Sequence, residues 1–130
     1  SSMTIRVNLI ENGRFAEILS DGHVTRREAG WATERVREMV EAGEVAAILA
    51  DSTDTERQVS PLLSGELIES FLLAIGTSVP VAYVCPTRWT ETYFACVRDH
   101  VGELPDSAGY FAGRAEALDW LRAQSCADAC

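Results

Sequence analysis

The sequence predicts an α/β domain built on a mixed, mostly parallel sheet, with an N-terminal β-hairpin and crossover helices, in the order β-β-α-β-α-β-α-β-α. Three observations lead there. Residues 4–10 and 15–19 alternate polar and apolar on either side of Asn12-Gly13, as the two strands of a hairpin do. Residues 45–50, Val-Ala-Ala-Ile-Leu-Ala, are apolar without alternation, so they read as a central strand covered on both faces. Beyond the hairpin, short apolar runs alternate with stretches of helical period, which implies crossover connections and parallel pairing.

Each element has its own signal. Residues 11–14 turn the first strand back on the second, and Ser20-Asp21-Gly22 closes the hairpin. Thr25 and Glu28 stand three apart ahead of an apolar-periodic stretch, the spacing of a capping box, and Gly43 supplies a stop. The first helix is therefore expected over residues 26–42. After the strand at 45–50 come Asp51 and a polar stretch, Ser52 to Val59, which read as a loop, with Asp51 to Gln58 expected to be exposed. Ser60 caps a second helix with Pro61 at its first position. Leu62, Leu63, Leu67, Ile68, Phe71, Leu72 and Ile75 give that helix a broad apolar face, and Gly76 ends it. Residues 79–84 form the next buried strand. Thr87 or Thr90 caps a third helix with Tyr93, Phe94, Val97 and Val101 inward, ending at Gly102. A short strand at 109–111 leads to Gly113 and a last helix that buries Ala117, Leu118 and Leu121. Residues 3–124 are expected to make one domain. Ser1-Ser2 reads as a cloning remnant ahead of Met3, and 125–130 as a C-terminal tail.

Composition bounds the function. The hydrophobic fraction of 47% suffices for a core. No apolar run approaches the roughly 18 residues of a membrane span, and the start lacks the basic and apolar regions of a signal peptide. A cytoplasmic domain without membrane insertion is expected. The net charge of −9 repels polyanions, so nucleic acid is a poor partner. All eleven basic residues are Arg. Without Lys, this chain can form no Schiff base and no Walker phosphate site. Cys85 and Cys96 read as buried small hydrophobes. Cys126 and Cys130 form an isolated pair, read as a reduced tail with a disulfide as the alternative; two ligands without a nearby His make zinc a poor reading.

Two segments resemble the SpoIIAA-like family of the STAS superfamily. Asp21-Gly-His-Val-Thr25 followed by Arg-Arg-Glu28-Ala is similar to that family's approach to its first helix. Phe111-Ala-Gly-Arg-Ala-Glu116-Ala-Leu-Asp-Trp120-Leu121 is similar to its closing segment. The resemblance implies a four- or five-stranded sheet with helices on one side. It implies a role like that of anti-sigma factor antagonists, which bind a partner kinase and are switched by phosphorylation of a Ser in an Asp-Ser-Ser-Gly type motif. The matching stretch is Asp51-Ser52-Thr53-Asp54, which lacks the Gly and is followed by a longer loop. Other relatives resemble small lipid-binding CRAL-TRIO domains in topology, which implies an apolar ligand as the alternative.

The candidate site residues follow. Asp51, Ser52, Thr53 and Arg57 form a candidate phosphoacceptor or switch loop, with Arg57 and helix N–H groups available to a phosphate; the plainer reading of Ser52 is an ordinary loop serine. Arg88 and Trp89, with Leu63 and Leu67, form a candidate pocket or interface, against the plainer reading of Trp89 as a half-buried structural residue. His23 and His100, the only histidines, read as solvated. Asp51 and Asp54 with Glu56 are an acidic grouping able to bind a divalent cation, and read instead as a hydrated loop. No metal, cofactor or catalytic constellation is expected. The expected function is a non-catalytic binding or regulatory module for a protein partner, with self-association through the second helix near Trp89. The alternative is a carrier of a small apolar ligand, and an enzyme ranks last.

Overall fold

Local signals set most of the element boundaries in the computed structural model, which describes residues 5–55 and 60–129, with side chains as far as Ser125. The elements are β1 (Ile5–Ile10), β2 (Phe15–Gly22), α1 (Arg26–Glu41), β3 (Ala47–Thr55), α2 (Pro61–Ile75), β4 (Val81–Val84), α3 (Glu91–Val101), β5 (Ala108–Phe111) and α4 (Arg114–Ala129). The strands form one sheet in the order β1-β2-β3-β4-β5, with β1–β2 antiparallel and the other pairs parallel. The mixed sheet, the order and the central position of the apolar strand agree with the sequence reading.

The hairpin turn holds three successive residues at positive φ: Glu11 (54°), Asn12 (59°) and Gly13 (82°). Gly13 takes that geometry without a side-chain clash, and Asn12 tolerates it better than most residues. Helix α1 begins with the full capping box: Thr25 Oγ1 accepts from the Glu28 N–H at 3.2 Å, and Glu28 Oε1 accepts from the Thr25 N–H at 3.4 Å. Thr25→Ala should therefore cost about 1 kcal/mol of stability; an unchanged denaturation midpoint would contradict this. Ser60 and Thr90 cap α2 and α3 in the same manner, each accepting the N–H three residues on. Strand β4 starts at Val81 rather than residue 79 because Pro80 has no N–H; its carbonyl still accepts from Ile48 at 2.9 Å.

Strand β3 is apolar in both directions and therefore needs a layer on each side. Ile48 and Ala50 join Ile18, Val36, Phe71 and their neighbours in a core between the sheet and α1 and α2. Ala47 and Leu49 join Phe15, Val84, Ala117 and Leu121 in a second core beneath α4. Helix α3 packs on the first side, where Phe94 meets Tyr110 edge-on at 5.2 Å. The family resemblance implied helices on one side; α4 corrects this by covering the other. Among the described residues, no helix is long and apolar enough to cross a membrane.

Candidate functional site

The strand does not stop where its apolar run stops. β3 continues through Asp51-Ser-Thr-Asp-Thr55 by pairing with the end of β2. Between Leu19↔Asp51 and Asp21↔Asp54, β2 advances two residues while β3 advances three. β3 thus carries one extra residue, a bulge at Ser52–Thr53. The expected exposed loop at 51–55 is corrected: these residues are strand, and Asp51 is buried.

Alternation sends Asp51 and Ser52 to opposite faces. Asp51 continues the Ala47–Leu49 side and meets α4. Its Oδ2 accepts from Arg114 at 2.9 Å, and its Oδ1 accepts from the Thr53 hydroxyl at 2.6 Å and the Thr53 N–H at 3.0 Å. Arg114 also pairs with Glu17 on β2, whose Oε1 accepts from Asn8 at 2.9 Å. Glu17 and Asp51 are each 5% exposed, so one guanidinium serves two buried carboxylates. Burial works against the charged Asp51 carboxyl, but the two Thr53 hydrogen bonds and Arg114 outweigh it and hold its pKa below the usual aspartate value. Asp51 and Thr53 are thus engaged in tying the sheet to α4. With Asp51 paired to Arg114, the acidic grouping considered for a cation loses its first member. Arg57 and Glu56 lie outside the described residues, as do the side chains of Cys126 and Cys130.

Ser52 continues the Ile48–Ala50 side and lines a pocket. The pocket, about 140 Å³, lies between the sheet, α1 and α2, and reaches the C-terminal ends of β3 and β4. Its walls are mainly apolar: Ile5, Ile18, Leu67, Ile68, Phe71 and Trp89 contribute most of the large side chains. Among the described residues, none that lines it carries a charge. Several carry hydroxyls. That of Thr33 donates to the Ala29 carbonyl at 2.8 Å, and that of Ser64 is bonded to the Tyr93 hydroxyl at 2.8 Å. The Thr55 and Tyr83 hydroxyls are buried with no partner among the described residues. Cys85 also lines the pocket, and burial pushes its thiol pKa up to about 12, so it stays a neutral thiol near pH 7.

The structure divides the remaining candidates. Trp89 lines the pocket while its ring packs on Tyr93 at 4.8 Å and Phe94 at 5.9 Å, so it is half-buried and at the site together. Arg88 is exposed and outside the lining. Leu67 lines the pocket and Leu63 is half-buried; the apolar residues that α2 presents outward are Leu62 and Leu73. Two readings need correction. Cys96 is exposed, because the inward position of α3 falls to Val97. His100 is not solvated: it packs against Gly65 of α2, and its Nε2 is buried. Sequence reasoning missed Tyr83, Thr55 and the Glu17–Arg114–Asp51 cluster. Tyr83 could have been found, since it lies two residues from Val81 on one face of a strand already identified.

No protein-family model matches the chain, and a search by sequence finds no curated relative. Among solved structures, the chain is similar to the anti-sigma factor antagonist SpoIIAA in its unphosphorylated form. That match has a TM-score of 0.61 and 11% identity, and covers 91% of this chain and 97% of that one. It is also similar to an uncharacterized protein of the DUF3478 family with a SpoIIAA-like fold from Shewanella loihica PV-4. There the TM-score is 0.54 and the identity 19%, with 90% of this chain and 91% of that one covered. At these identities the likeness is one of fold: the chain has the SpoIIAA-like α/β fold, as its sequence resemblance implied.

Proposed function

We propose that this domain is a non-catalytic binding module and that its site is the pocket between the sheet, α1 and α2, which takes a small, mainly apolar molecule. The observation that carries this is the uncharged apolar pocket at the C-terminal ends of adjacent parallel strands, the place where open α/β sheets most often hold ligands. Among the described residues, Cys85 is a neutral thiol and Asp51 is engaged with Arg114, so neither serves the pocket as nucleophile or base. Occupancy would brace α1 against α2, and a protein partner reading that outer surface would sense the ligand. Native mass spectrometry of the protein isolated from its own host should find a small neutral adduct that organic extraction removes. A ligand-free mass under conditions that preserve other weak complexes would count against the reading.

A second reading, a phosphoswitch at Ser52 governing a protein partner, draws on the fold shared with an anti-sigma factor antagonist. The bulged strand weighs against it. Ser52 is half-buried in β3 and lines a pocket whose described walls carry no charge. A phosphate dianion there would give up hydration without gaining a cation from the described lining. Phosphopeptide mapping of host-derived protein should therefore find Ser52 unmodified; phosphate at Ser52, lost in Ser52→Ala, would favour the switch instead. Self-association through α2 is part of the same proposal, since Leu62 and Leu73 are large apolar residues left exposed. Sedimentation equilibrium at micromolar concentration showing only the 14.2 kDa monomer would remove that part.

A further inference from the structure

Tyr83 reaches the pocket from the middle of the sheet, and Thr55 from the end of the central strand beyond the bulge. Tyr83 is 8% exposed and packs edge-on against Phe71 at 6.0 Å. Its hydroxyl and that of Thr55 are both buried, and neither has a hydrogen-bond partner among the described residues. A buried hydroxyl left unmatched costs about 1–3 kcal/mol. Native interiors seldom carry two such groups on one cavity without a ligand or water to satisfy them. The other hydroxyls with assigned bonds, Thr33 and Ser64, are already satisfied within the protein.

We propose that the pocket takes a neutral, single-ring-sized molecule with an apolar body and one oxygen that accepts a hydrogen bond, of the phenol or small cyclic alcohol and ketone class, held by the hydroxyls of Tyr83 and Thr55. This rests on the pocket being the binding site. Size comes first: an apolar cavity of about 150 Å³ accommodates benzene, and this one offers about 140 Å³. Charge comes next. An anion entering the pocket would meet no cation among the described lining residues, and the buried cluster Glu17–Arg114–Asp51 lies across the sheet with two carboxylates to one guanidinium. A cation would likewise meet no carboxylate among the described lining residues. The walls suit an apolar body, with the rings of Phe71 and Trp89 and the side chains of Ile18 and Ile68 around it. The Tyr83 hydroxyl is fixed as a donor, because burial pushes its pKa well above the usual tyrosine value. Thr55, whose hydroxyl can donate or accept, is the second unpartnered group on the same lining.

Titration calorimetry with three probes of similar size tests this: p-cresol, toluene and benzoate. The expected result is saturable binding of p-cresol and toluene, with p-cresol tighter by about fivefold, the value of one net hydrogen bond, and benzoate weaker than both. Tyr83→Phe should leave toluene unchanged and remove most of the preference for p-cresol; Thr55→Val provides the second variant. Thermal unfolding would confirm that both variants are folded. Equal affinity for p-cresol and toluene in the parent protein, or a preference that survives both substitutions, would overturn the proposal while leaving the pocket as a binding site. Absence of saturable binding by all three probes would overturn the pocket reading with it.

Discussion

Arg114→Ala should destabilise the domain by about 3 kcal/mol at neutral pH, the lower end of what removing one partner from a buried ion pair costs. The lower end applies because the Arg114 side chain is 40% exposed, so solvent partly screens the pair. The loss arises less from the attraction removed than from what stays behind. Glu17 would keep Asn8 and Asp51 would keep Thr53, but both carboxylates would remain buried without a cation. The effect should depend on pH with a definite sign. In the parent protein the Asp51 pKa is lowered on folding, so its contribution is full above the unfolded value of 3.8 and is lost as pH falls through the folded value. In the variant, the buried Asp51 carboxylate, without Arg114, gains by taking up a proton. The gap between parent and variant should therefore narrow as pH drops below about 4. Urea denaturation at a series of pH values measures this. A gap constant with pH would show that the cost comes from lost packing instead.

The second large effect belongs to Gly65. Helices α2 and α3 approach so closely there that a Cβ on Gly65 would stand 2.7 Å from His100 Cδ2 and 2.9 Å from its Cβ and Cγ. On an open helix surface, Gly→Ala would stabilise by about 0.5–1 kcal/mol. Here overpacking should outweigh that gain, for a net loss of about 2 kcal/mol as the helices are forced apart. Measured in a His100→Ala background, the cost of Gly65→Ala should shrink, since two of the three close atoms belong to the ring. Equal costs in both backgrounds would mean that the helix contact relaxes freely.

The sequence was most legible where structure is decided by neighbours along the chain. Thr25 with Glu28, Ser60 with Pro61, and Asn12-Gly13 each act within four residues, and each marks the boundary expected of it. The need for a layer on both faces of β3 was legible too, because Val45 to Ala50 leaves no polar side. What was lost is what depends on distant partners. Ser-Thr-Asp-Thr after Asp51 are turn-forming residues by local preference, yet they continue the strand because β2 extends to Gly22 and pairs with them across the bulge. Arg114 lies 63 residues from Asp51, beyond the reach of any spacing argument. Helix α2 carries more apolar residues than one face needs, so its inward side could not be chosen from periodicity alone. Its small residues, Ser64 and Gly65, decide the matter by allowing α3 to come close, and they leave Leu62 and Leu73 outside.

Heteronuclear NMR titration of the labelled domain with toluene tests the pocket most directly, because it asks only whether the apolar space is a binding site. The expected result is a saturable change in the backbone signals of Ala50, Ser52, Tyr83 and Trp89. Those of Ala117 and Leu121, in the core across the sheet, should stay in place. Signals that never saturate, or that move first around exposed Leu9 and Leu73, would contradict the account.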